Sequence, residues 1–166
     1  ALDLDHRDAG WRAVPSWPGP GRSLAAAGVQ GGEFFLFGGV SLAAGPDGKP
    51  VRTYLRDAFA GRAGRGWRRI ADLPRPLAAA PSPAPTAGQA FLLLAGGDDG
   101  SRVHLGTVPT HPGFDVPLLG YHTITDTWAP LGALPAVRVT TPAVAWHGGF
   151  VIPSGEMRPG DRKSVV

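Results

Sequence analysis

The segment Gly155-Glu156-Met157-Arg158-Pro159-Gly160-Asp161-Arg162 gathers a glutamate, an aspartate and two arginines into one short stretch. A carboxyl group can give or take a proton, and a guanidinium can hold a carboxylate through paired, charge-assisted hydrogen bonds. Two further arginines, Arg22 and Arg138, each sit where a proline-containing turn leads into a run of small or β-branched residues. Each of these has a plainer reading. Glu156 alone is a solvated loop carboxylate, since charged residues mostly lie exposed. Arg162 alone is a salt-bridge partner across its own loop, worth at most about 1 kcal/mol when exposed. Arg22 and Arg138 alone are turn-stabilising residues.

Other chemistries find less support. Cysteine is absent, so disulfides, thiolate metal ligands and thiol nucleophiles are excluded for this chain, and the compartment stays open. His104 and His111 lie near Asp98, Asp99 and Asp115, but no His-x-His or Glu-x-x-His spacing occurs, so no metal site is expected. Asp98-Asp99-Gly100-Ser101 lacks the continued ligand pattern of a calcium loop and reads as a turn. Gly61-Arg62-Ala63-Gly64-Arg65-Gly66 is followed by no helix that could hold a phosphate. No cofactor is implied.

The sequence pI of about 9.9 invites a nucleic-acid reading. The arginines are dispersed apart from those at 62–69, however, with no aromatic interleaving that would stack bases. Arginine-rich, asparagine-free composition is what a GC-rich coding sequence yields, so no nucleic-acid partner is expected. No apolar stretch reaches the length of a membrane span, and no signal-peptide pattern opens the chain.

The elements that must position the acidic segment show themselves as a repeat. An apolar run ends in Gly-Gly at residues 34–39 and again at 91–97, then recurs at 150–155 with Ser154 in place of the first glycine. Gly38, Gly96 and Ser154 are spaced by 58 residues both times. Trp11, Trp67 and Trp128 keep pace, each a few residues before a proline turn. With 25 Gly and 18 Pro among 166 residues, short strands joined by turns are favoured over helices. A period of about 50 residues points to an all-β, kelch-type β-propeller in which each repeat is one four-stranded blade.

The strands follow from the pattern. Residues 1–20 read as the end of a blade, with two strands within 1–17. A full blade occupies 21–75: an inner strand at 23–29, a second at 33–40, a loop at 41–53, a third strand at 54–60 and a fourth from Trp67 to Leu73. A second full blade occupies 76–136: inner 77–85, second 90–97, third 118–125, fourth 128–134, with a long loop at 98–117. Loops of that length inside a domain are usually functional. Residues 137–166 begin another blade, with strands at 139–146, 150–155 and 163–166. Two full and two partial blades make an incomplete ring, since such rings hold about 4–8 blades. The chain is therefore expected to be a fragment whose remaining blades are needed for closure. Antiparallel order places the four-to-one and two-to-three connections on one face, so Glu156, Arg158, Arg162, Arg138 and Arg22 are expected to converge on one rim.

The segment from Gly155 to Arg162 resembles the Gly-Glu-x-(Lys/Arg)-Pro-Gly-x-Arg stretch of the kelch-repeat N-acetylneuraminate epimerases, or sialic acid mutarotases. The wider chain resembles their cyclically permuted branch. Tyr54-Leu55-Arg56-Asp57-Ala58, Leu73-Pro74-Arg75-Pro76, Gly96-Gly97-Asp98-Asp99-Gly100 and His111-Pro112-Gly113-Phe114 support it. The resemblance implies a six-bladed ring, of which this chain supplies about half, and an isomerase acting on a small acidic sugar. It also implies that Glu156 and Arg162 are the functional pair, with Arg138, Arg22 and Arg158 as supporting substrate contacts. It is compatible with a periplasmic or otherwise exported protein. The competing expectation is a non-catalytic kelch scaffold that binds a protein or a glycan, because fold alone does not decide function.

Overall fold

The computed structural model describes residues 1–107, 109–115 and 117–161. Three antiparallel sheets follow one another along the chain. The first contains β1 (Ala26–Gln30), β2 (Glu33–Ala44), β3 (Pro50–Arg62) and β4 (Gly66–Ile70), hydrogen-bonded in that order. The second contains β5 (Thr86–Ala87), β6 (Phe91–Ala95), β7 (Pro117–His122) and β8 (Thr127–Ala133), again in chain order. A third sheet consists of β9 (Val144–Trp146) and β10 (Gly149–Val151).

The core lies between the first two sheets, which explains why β2 and β6 are continuous apolar runs rather than alternating ones. A strand covered on both faces has no solvent side to keep polar. Phe35 and Phe37 are fully buried and stack at 6.1 Å, and Tyr121 of the second sheet meets them at 5.8 and 5.5 Å. Leu92, Leu94, Leu73 and Leu77 complete the seam.

Three sets of equivalent contacts show how the repeat is built. Ser23 pairs with Val40, Ala78 with Asp98 and Val139 with Glu156, each as a single antiparallel bridge. The next residues, Leu24, Ala79 and Thr140, share a left-handed backbone with φ of 56, 57 and 57°. They are linked laterally: Ala79 N–H donates to Leu24 O at 2.8 Å, and Thr140 N–H to Ala79 O at 2.9 Å. On the outer side, Trp67 Nε1 donates to Pro15 O at 2.9 Å and Trp128 Nε1 to Ala71 O at 3.0 Å. Pro15 and Ala71 occupy the same place relative to Trp11 and Trp67, so the same indole-to-carbonyl bond is made twice.

The glycine pairs also have a physical reason. Gly39, Gly97 and Gly155 have φ of 103, 122 and 82°, and a Cβ there would lie 2.7, 3.1 and 2.7 Å from the carbonyls of Ser23, Ala78 and Val139. Positive φ and a backbone at van der Waals distance leave room for glycine alone.

Several strand expectations need correction. The region 41–53 is mostly strand: β2 and β3 pair as far as Ala44 with Pro50, and only the Gly45–Lys49 tip turns. Its arms look like loop because they are solvent-exposed beyond the body. The inner segment 77–85 forms no ladder with β6 before Thr86. Pro81, Pro83 and Pro85 cannot donate, and near them the chain bonds sideways, Ala84 N–H to Ala27 O at 2.6 Å and Ser82 N–H to Thr141 O at 3.2 Å. Residues 1–17 contain no strand. A 3-10 turn at Arg7–Ala9 and a reciprocal backbone pair between Ala1 and Arg12 stand there instead. With Trp11 80% exposed, that segment has no apolar face to lay a ladder upon. The strand expected at 163–166 lies outside the described residues.

Candidate functional site

The backbone of Glu156 pairs with the inner segment of its own repeat. Its N–H donates to Val139 O at 3.1 Å, and its carbonyl accepts Val139 N–H at 3.0 Å. That pairing sets the half-buried Glu156 beside the innermost segment of its own repeat, directly after the half-buried Arg138. Arg138 makes no ion pair among the described residues. Arg158 is exposed, and its carbonyl accepts Asp161 N–H at 3.0 Å in the turn that carries Pro159 and Gly160. Arg162 lies outside the described residues.

Arg22 holds the position in the first repeat that Arg138 holds in the third, but its surroundings differ. Its side chain is only 1% exposed. Nη1 and Nη2 bond the two oxygens of Asp57 at 2.6 and 2.8 Å, Nη1 also reaches Gly38 O at 3.0 Å, and Nε donates to Pro20 O at 3.3 Å. Trp17 and Phe59 lie over the guanidinium at 5.8 and 5.3 Å. With these four bonds and a side chain sealed from solvent, it presents no open face to a ligand there. Glu156 thus pairs with Val139, the residue after Arg138, while Arg22 is closed off.

The second repeat contributes a charged network that the sequence reading missed. Arg75 Nη1 bonds Asp99 at 3.2 Å and Asp115 at 2.8 Å, and Arg102 Nη2 bonds the other oxygen of Asp115 at 2.7 Å. Burial pushes the Asp99 carboxyl up, but hydrogen bonds from Ser101 and the nearby Arg75 and Arg102 outweigh it and hold it below the usual value. Tyr54 of β3 donates to Asp98 at 2.9 Å. Burial, then that bond to a carboxylate, pushes the Tyr54 phenol up to about 12. The only available sequence signal was opposite charge concentrated in one long loop. His111 is buried at 2% exposure and accepts Gly113 N–H on Nδ1 at 3.0 Å, which places the proton of the neutral ring on Nε2. His104 is exposed in the 3-10 turn Val103–Leu105.

The solved structure of YjhT is similar to this chain over 90% of its length, with a TM-score of 0.68 and 18% identity. The match covers 49% of that structure, so the chain spans about half its length. Together with the three successive antiparallel sheets, this decides the architecture. The chain is part of a β-propeller. No family model and no curated protein matches the chain. In propeller terms the first two sheets are blades, β9 and β10 begin a third, and the lateral bonds from Thr140 through Ala79 to Leu24 run around the inner wall. At this identity the likeness shows the fold alone.

Proposed function

We propose that the propeller containing these blades is a carbohydrate mutarotase that interconverts the anomers of N-acetylneuraminate or a related acidic sugar. The observation that carries this reading is the backbone pairing of Glu156 with Val139. It supports the reading because Val139 directly follows Arg138, whose guanidinium makes no ion pair among the described residues. The Gly-Glu-x-Arg-Pro-Gly-x-Arg resemblance supplies the substrate class.

Mutarotation requires removal of the proton from the anomeric hydroxyl and protonation of the ring oxygen. The bond between the anomeric carbon and the ring oxygen breaks to give the open-chain carbonyl form, and re-closure on the other face returns both protons. Glu156 serves as the group that accepts and returns a proton. Arg162, with Arg138 and Arg158, holds the sugar carboxylate through charge-assisted hydrogen bonds. Arg22 is assigned to holding its blade together rather than to the sugar. The blades beyond this chain complete the wall around the substrate.

The test is proton NMR of anomer exchange, using the complete gene product beside its Glu156→Gln variant. Acceleration by the parent protein, lost in the variant, supports the reading. A folded propeller without acceleration moves the assignment to a binding scaffold.

A further inference from the structure

The Glu156 segment is held from two sides, and the second side is a loop of the preceding blade. Gly113, in the long connection between β6 and β7, has φ of 103°. A Cβ on it would lie 3.2 Å from Met157 O and 4.0 Å from Arg158 Cγ. Gly113 therefore rests directly against the residues that follow Glu156. Both polar groups of Gly113 are gripped by side chains: its N–H by the buried His111 at 3.0 Å, its carbonyl by Arg102 Nη1 at 3.0 Å.

Arg102 is itself fixed, because its Nη2 bonds Asp115, which Arg75 holds from the other side. The far end of the loop is pinned as well, through Asp98, whose carboxylate accepts Tyr54 of the first blade and whose backbone pairs with Ala78. Polar contacts thus hold the loop from the first blade to Gly113, which packs against the peptide after Glu156. Surface ion pairs alone contribute little. This one differs because both arms of a single guanidinium are used, one on a carboxylate and one on the backbone that abuts the rim segment.

We propose that Arg102 is a positioning residue for Glu156, acting through Gly113 as a strap laid across the segment. The catalytic consequence rests on the mutarotase reading; the structural one does not. With Glu156 N–H paired to Val139 on one side and Gly113 against Met157 on the other, the carboxylate is carried on a peptide clamped between two blades. Misplacement of a reacting group by about 1 Å can cost about 100-fold, so a strap of this kind has a measurable effect without touching substrate.

The experiment uses the complete gene product and its Arg102→Ala variant, read by amide hydrogen exchange and by anomer exchange of N-acetylneuraminate. Arg65→Ala, in the exposed turn between β3 and β4, is the control. The expected result is faster exchange of the Glu156 amide with the Ala79 and Thr140 amides still protected. A kcat loss of about 10- to 100-fold should accompany it, with KM changed less than about twofold. Gly113→Ala, which adds a Cβ against Met157 O, should act in the same direction and covers the case in which Arg102→Ala fails to fold. Unchanged protection of Glu156 in a folded variant overturns the strap. Lost protection with unchanged kcat overturns its catalytic role. If the parent protein does not exchange anomers, the mutarotase reading falls, and the Glu156 amide alone decides whether the strap holds the segment.

Discussion

Arg22 and Arg138 occupy one position in the first and third copies of the same repeat, and the structure gives them opposite surroundings. Each stands just before a residue that makes a single antiparallel bridge, Ser23 to Val40 and Val139 to Glu156. In the first blade Asp57 on β3 reaches up and closes the guanidinium in a bidentate pair at 2.6 and 2.8 Å. In the third blade the bridge partner is itself an acid, and Arg138 remains half-buried with no ion pair among the described residues. The second blade has Leu77 at that place and moves its arginine two residues earlier, to Arg75. A repeat thus supplies a socket, and the neighbouring strand decides whether its arginine is closed into a brace.

The largest effect expected from breaking this contrast is on chemistry at the open end. Glu156→Gln should slow anomer exchange by about 10²- to 10⁴-fold, the usual contribution of one general acid–base group, with unfolding by urea unchanged. At the closed end the effect should fall on stability. Arg22→Ala leaves the Asp57 carboxylate without its partner beside a buried void, and should cost about 3–5 kcal/mol in urea unfolding. Arg138→Ala sharpens the comparison. It should lower affinity for the acidic sugar by about tenfold, the worth of one charged hydrogen bond, while the urea midpoint stays put. If Arg138→Ala destabilises as Arg22→Ala does, the two arginines are both braces and the contrast is lost.

The smallest expected effect concerns Tyr54, the link between the first blade and the loop of the second. Its phenol is raised to about 12 in the folded protein, by burial and then by Asp98. Below pH about 10 the phenol is protonated in both states, and its contribution is complete. Between about 10 and 12 the unfolded chain ionises while the folded one does not, so stability must fall over that window. Tyr54→Phe should cost about 1 kcal/mol at neutral pH and remove its share of the alkaline loss. Denaturant midpoints followed from pH 8 to 12 give both numbers.

The parts of the fold that were legible in the sequence are those set by the repeat itself. The second strands, the Gly-Gly ends and the tryptophan positions recur because each blade must meet the next in the same way. The arms of the β2–β3 hairpin were hidden, since exposed strands beyond the body carry no buried face to mark them. The inner segment 77–85 was misread because its prolines divert bonding from β6 to the neighbouring blades. At the site, the pairing of the segment after Arg138 with the Glu156 connection followed from strand order. The capture of Arg22 by Asp57 did not, because the pairing depends on how high on β3 one carboxylate stands. The strap from Arg102 to Gly113 was equally invisible, since loop folding rather than spacing brings those groups together.

The indole bonds from Trp67 to Pro15 and from Trp128 to Ala71 have a consequence for how such a molecule comes apart. The first joins a blade to the N-terminal segment and the second joins the next blade to that one, so the structure resembles a row of separately latched panels, with cohesion passed between nearest neighbours. An opening event at one latch changes the surroundings of one indole and leaves the other as it was. Tryptophan emission, with either residue replaced by phenylalanine in turn, would then report in which order the seams part.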